Sequence, residues 1–134
     1  MVNHDSKGGS LRGKAALYGF EVDGLAFCHL EDLDEVIDVE LVQQLRPIDV
    51  LMVPIGGVFI MDHESADAMV RMLQLKVVVP MHYRNKYVTY ALETVVKFIN
   101  AKENFKLEKT NRITLAKDSL PQTTQILLLD LPQA

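Results

Sequence analysis

Pro80-Met81-His82-Tyr83-Arg84 closes a short apolar run, Val77-Val78-Val79. A β-branched run that stops at a proline and then presents a histidine reads as a buried strand delivering an imidazole to a sheet edge. A histidine in such a place is commonly a hydrogen-bonded structural residue. What gives His82 chemical interest is its company. His4-Asp5, Cys28-His29-Leu30-Glu31-Asp32 and Pro54-Ile55-Gly56-Gly57 each lie at or near the end of a strand-like segment. Imidazoles and carboxylates delivered together suit Zn²⁺ or Mn²⁺. A divalent ion held by such groups lowers the pKa of a bound water and supplies hydroxide for attack on an ester, lactone, amide or phosphodiester.

In order and spacing, these motifs resemble the C-terminal part of the metallo-β-lactamase superfamily, and most closely the small zinc-dependent hydrolases of its ascorbate-6-phosphate lactonase-like branch. The resemblance runs from His4 through the Leu127-Leu128-Leu129 strand, without the His-x-His-x-Asp-His signature that opens the site in that superfamily. It implies a dinuclear centre between the edges of two sheets. By motif match His4 takes the place of the third histidine, Asp32 of the bridging aspartate and His82 of the final histidine. Asp32 is then the residue at the heart of catalysis, and His29 takes a supporting or packing place behind the ligands. The family commonly has Gly-Asp followed by Leu-Gly or Thr-Gly, where the chain has Glu31-Asp32-Leu33-Asp34. Glu31 either strains the loop or shifts it, and its charge either aids cation binding or signals relaxed selection.

Each candidate has a plainer reading. His4 sits in a polar terminal loop and reads equally as a solvated residue. Asp32 belongs to the acidic run Glu31-Asp32-Leu33-Asp34-Glu35, the composition of a solvated face or a helix N-terminus. His63 follows a helix cap and is expected to be exposed, with no ligand role. Cys28 reads as a small core residue, since no base is placed beside it. Gly56-Gly57 would let backbone pass close to a site, or simply make a tight turn. Gly8-Gly9 lacks a following Lys-Ser/Thr and a preceding strand, so it is not a phosphate-binding loop.

The elements that must position these residues are legible in the periodicity. Residues 3–14 form a polar, glycine-rich loop. Ala15 to Val22 and Leu25 to His29 flank Asp23-Gly24, which suits a type I′ hairpin turn. Asp38 caps a helix in which Val39, Val42 and Leu45 share a face, ended by Arg46-Pro47. Ile48 to Ile55 reads as a strand buried on both faces. Asp62 caps a helix with Ala66, Met69, Val70 and Leu73 on one side. Val77 to Val79 is the next strand, and Leu92, Val95, Val96 and Ile99 mark a third helix. Phe105 to Lys109 and Ile113 to Leu115 alternate with period two, and Thr124 to Leu129 is a last strand. A hairpin, two strand–helix units and trailing β segments make an α/β protein, the C-terminal portion of an αββα sandwich in which a mixed sheet is flanked by helices. A doubly wound sheet is the alternative.

Bulk properties bound the function. The chain has 134 residues, 49% of them hydrophobic and 24% charged, which suits one globular domain over 1–134 with a real core. The net charge of −4 gives no reason to expect nucleic acid. One cysteine cannot form an internal disulfide, which suits a reducing cytoplasm. The polar N-terminus lacks the core of a signal peptide, and the apolar stretch from Leu51 to Met61 is broken by Pro54, Gly56 and Gly57. No membrane partner is expected.

The expected protein is therefore a truncated metal-dependent hydrolase with an incomplete site, holding zinc or manganese weakly or not at all. Completed by a matching N-terminal half it would act on a small-molecule substrate. The alternative is a non-catalytic α/β interaction or oligomerisation module, whose open sheet face would be covered by another copy or by a complementing chain.

Overall fold

The computed structural model describes residues 2–3, 14–33, 36–45, 47–57, 61–88, 91–100 and 102–131. Asp23 and Gly24 both adopt positive φ, 51° and 76°, as a two-residue type I′ turn requires. They join β3 (Tyr18–Val22) to β4 (Leu25–His29) in register, with Phe20 opposite Phe27. Before this hairpin, β1 (Val2–Asn3) and β2 (Lys14–Ala15) form a small antiparallel pair. After it come α1 (Val39–Leu45), β5 (Val50–Pro54), α2 (His63–Leu73), β6 (Val77–Met81), α3 (Val95–Ile99), β7 (Phe105–Leu107) and β8 (Gln125–Leu128).

The main sheet has six strands in the order β3-β4-β5-β6-β8-β7. Only β3 runs antiparallel to its neighbour; β4, β5, β6, β8 and β7 are mutually parallel. This is the mixed α/β sheet that the sequence pattern implies. Both expected helix caps form. The Asp38 carboxylate accepts from the Leu41 amide at 2.8 Å and the Asp62 carboxylate from the Ser65 amide at 2.8 Å, each satisfying an N–H that the first turn cannot.

Residues directly opposite in neighbouring strands share a face, so the pairings divide the sheet into two surfaces. On one, Cys28, Leu51, Val53, Val78 and Ile126 pack against Ala66, Met69 and Leu73 of α2 and Phe98 of α3. All of these are buried. The opposite surface carries Tyr18, Phe20, Val22, Phe27, Val50, Met52, Val77 and Val79. Its covering is partial. Ile113, Leu115 and Leu120 lie against Val50, Val77 and Leu127, while Tyr18, Phe20 and Val22 are 54%, 46% and 51% exposed. Phe20 and Phe27 stack on this open side with ring centroids 5.2 Å apart.

Three expectations need correction. Ile113 to Leu115 is not a strand; the two apolar side chains pack on the sheet from irregular backbone. A period of two therefore reflected one-sided burial and not a ladder. The third helix is a single short element in which Val96 is 62% exposed and Phe98 is fully buried. Leu92 precedes it outside the helix, because the neighbouring Glu93 carbonyl, which a helix starting there would need, already accepts from the Arg84 amide at 2.9 Å, and Thr94 pairs with Arg84.

Candidate metal centre

Parallel neighbours end at the same edge of a sheet, so the C-terminal ends of β4, β5 and β6 bring three chain segments together. The first leaves β4 after His29. Leu30 extends the ladder by donating to the Met52 carbonyl at 3.1 Å, and the Leu33 amide closes back on the Leu30 carbonyl at 3.1 Å. Leu30 and Leu33 are both fully buried. Anchored on either side by apolar burial, the intervening pair Glu31-Asp32 is turned outward.

Glu31 sits in the left-handed region at φ 52°, a conformation that favours glycine and costs other residues about 1–2 kcal/mol. The alternative raised by the sequence is thus decided in favour of local backbone strain. Two hydrogen bonds hold the residue there: its carboxylate accepts from the Ala16 amide at 2.8 Å, and its own amide donates to His29 Nδ1 at 3.0 Å. Because Nδ1 accepts this bond, a neutral His29 carries its proton on Nε2. His29 shapes the loop that carries Asp32.

The third segment leaves β6 after Met81, and its first residue, His82, is also left-handed at φ 54°. This turn swings the imidazole across the edge, placing His82 Nε2 3.2 Å from Asp32 Oδ1. Both side chains keep a solvent-facing side, at 33% and 46% exposure.

Gly56, from the middle segment, makes that turn possible. A β-carbon built on Gly56 would stand 2.3 Å from the His82 carbonyl oxygen and 3.3 Å from Leu92. The contact is clamped from both ends. Ile55 donates to the Met81 carbonyl at 3.2 Å, Glu93 to the Gly56 carbonyl at 2.7 Å, and Arg84 to the Glu93 carbonyl at 2.9 Å. Of the two readings of Gly56-Gly57, close backbone approach holds at Gly56; Gly57, at φ 64°, takes the left-handed conformation of a turn. The part played by Leu92 and Glu93 was hidden in the sequence, where both read as the start of a helix.

The remaining candidates fall outside this pair. His63 is half-buried and lies 3.3 Å from the Glu93 carboxylate, so it is paired where the sequence suggested exposure. Glu93 also binds Lys97 at 2.7 Å, and that ammonium, with His63, holds its carboxyl below the usual range against the opposing effect of burial. Cys28 is fully buried, and burial pushes its thiol up to about 11, which leaves no nucleophile at neutral pH. His4 and the Gly8-Gly9 loop lie outside the described residues.

Residues 1–82 match the family described as Beta-lactamase superfamily domain. The chain belongs to this superfamily. Among beta-lactamase superfamily relatives, a UPF0173 metal-dependent hydrolase of Thermococcus onnurineus is 40% identical over 82 residues, which are 60% of this chain and 37% of that protein. One from Lysinibacillus sphaericus is 42% identical over 62 residues, 46% of this chain and 27% of that protein. The matched stretches thus span well under half the length of these curated relatives. Among solved structures, a Thermotoga maritima protein described as a Zn-dependent hydrolase of the metallo-beta-lactamase superfamily superposes with a TM-score of 0.79 at 31% identity. The match covers 87% of this chain and 59% of that one. A protein from Parabacteroides distasonis, at 17% identity and a TM-score of 0.58 over 97% of this chain, shares the fold. The α/β sheet flanked by helices is accordingly a beta-lactamase superfamily fold.

A metal is implied by this membership, and the donor set was compared with one. Two ligands on a tetrahedral zinc with bonds of about 2.0–2.2 Å stand roughly 3.3–3.6 Å apart. The 3.2 Å between Asp32 Oδ1 and His82 Nε2 is close to that edge length, and a carboxylate with an imidazole is the right chemistry. Among the described residues no group of three histidine, cysteine, aspartate or glutamate side chains converges. The pair fits as part of a ligand shell, one donor short of the three protein ligands usual for a catalytic zinc.

Proposed function

We propose that this chain provides the C-terminal sheet and part of the metal shell of a metal-dependent hydrolase, with Asp32 bridging two zinc or manganese ions, His82 a ligand to one of them and His4 a ligand to the other. The observation that carries the reading is the 3.2 Å approach of the Asp32 carboxylate to the His82 imidazole at a shared strand edge. Both residues come from loops whose backbone is held in uncommon conformations, and such strain concentrates at functional sites. A bound divalent ion would activate water for hydrolysis of an ester, lactone, amide or phosphodiester. Asp32, as the bridging carboxylate, would orient the reacting centre, and His82 would fix one side of it.

With so few donors, zinc affinity falls far below that of a closed four-ligand site. Calorimetric titration of Zn²⁺ into wild type and His82→Ala tests this: weak binding that disappears in the variant is expected. Tight binding, or binding indifferent to His82→Ala, removes the assignment. The exposure of Tyr18, Phe20 and Val22 on the open face favours a second reading, an association module covered by another copy or by a complementing N-terminal half. In a cytoplasmic setting that half would complete both the sandwich and the metal shell.

A further inference from the structure

A groove of about 370 Å³ begins at His82 and runs along the C-terminal ends of β6 and β8. Its floor and walls are chiefly apolar, with Met81, Val88, Leu129 and Leu131 prominent, and the charged side chain that joins His82 in lining it is Asp130. No lysine or arginine lines it among the described residues. We propose that this groove holds the uncharged, apolar tail of the substrate, an acyl or alkyl group attached to the bond hydrolysed beside His82. The inference rests on the reading of Asp32 and His82 as the reacting end and names the substrate class for it.

Continuity and charge carry the assignment. His82, the residue that would stand beside the scissile bond, is itself part of the groove's lining, so a tail leaving that bond has the groove as its adjoining surface. Sites for small molecules are concave and mainly apolar, with few polar groups. An anionic tail such as a phosphate ester would need cationic or amide donors. Here it would meet the Asp130 carboxylate, which accepts from the adjacent Leu131 amide at 2.8 Å, and it would lose its hydration against leucine and valine. Asn85 is engaged locally, its side-chain nitrogen donating to the Tyr83 carbonyl and its oxygen accepting from the Tyr87 amide.

The test uses two soluble probes of equal chain length, hexanamide and hexyl phosphate, titrated into isotope-labelled protein with chelator present. Hexanamide should shift the backbone amide signals of Tyr83, Val88 and Leu131 along a saturating curve, with hexyl phosphate binding about tenfold or more weakly. Val88→Asp and, separately, Leu131→Asp should each weaken hexanamide binding by a similar factor while the amide signals of α2 stay in place. An absence of saturable shifts at these three residues, or equal or tighter binding of hexyl phosphate, would overturn the proposal. Because the probes are read without metal, the outcomes separate. Hexanamide binding in a protein that fails the zinc titration retains the groove and removes the metal reading, whereas zinc binding without a hexanamide response does the reverse.

Discussion

Replacing Gly56 by alanine is the sharpest perturbation of the candidate centre. The added β-carbon would lie 2.3 Å from the His82 carbonyl oxygen, roughly 1 Å short of ordinary van der Waals contact. Gly56 is not left-handed, so alanine meets no backbone penalty there and the effect is purely steric. Leu92, 3.3 Å away, can yield by a small side-chain movement. The His82 carbonyl cannot, because the flanking Ile55 to Met81 and Glu93 to Gly56 hydrogen bonds, at 3.2 and 2.7 Å, tie both strands to the same frame. Relieving the clash displaces the His82 turn by something near that 1 Å and opens the 3.2 Å spacing to Asp32 beyond a shared ligand edge.

Overpacking of this kind costs about 1–3 kcal/mol, which for a domain of this size lowers the melting temperature by roughly 4–10 °C. The assay pairs thermal unfolding by circular dichroism with the imidazole resonances of His82. Gly57→Ala serves as the contrast. Its backbone is left-handed at φ 64°, but the new β-carbon would meet Glu93 at an ordinary 3.5 Å, so it should lose about 1 kcal/mol and leave the His82 resonances in place. A Gly56→Ala protein with an unchanged melting temperature and an unchanged His82 spectrum would refute the steric argument.

Other consequences follow from single residues. Cys28, fully buried with its thiol pushed up to about 11, should resist thiol reagents in native buffer and react only on unfolding; rapid native labelling would contradict the packing. Burial acts to raise the Asp49 carboxyl, but Lys117, bonded to both of its oxygens at 2.8 and 2.7 Å, and the Ala26 amide outweigh it, so the group titrates below its ordinary value. A depressed carboxyl stabilises the fold above its unfolded-state value near 4 and loses that contribution as pH falls through the folded one. Asp49→Asn should therefore cost about 1 kcal/mol at neutral pH, allowing for the exposure of Lys117, and the urea midpoints of variant and wild type should converge in acid. On the open sheet face, Phe20→Glu should reduce self-association measured by sedimentation; an equally monomeric wild type would show that Ile113, Leu115 and Leu120 already cover the face sufficiently.

What the sequence by itself determined was what depends on near neighbours along the chain. Asp23-Gly24 specified a turn because few residue pairs tolerate two positive φ angles. Asp38 and Asp62 specified helix starts because their carboxylates reach an amide three residues on. The apolar runs of β5 and β6 declared buried strands, and the strand-end placement of Asp32 and His82 marked them as candidates. Tertiary structure decided what depends on residues far apart in sequence. The pairing of Asp32 with His82 spans fifty positions and exists because parallel strands end at one edge. The role of Gly56 emerges only when the His82 carbonyl arrives against it, and His63 finds Glu93 thirty residues away. The apolar alternation at Ile113 to Leu115 was read as a strand because periodicity reports which side is buried and is silent on whether a hydrogen-bonding neighbour lies beside the backbone. Val96, expected on the core face of the third helix, is exposed while Phe98 is buried, for the same reason: both are apolar, and the direction of the core is a property of the packed sheet.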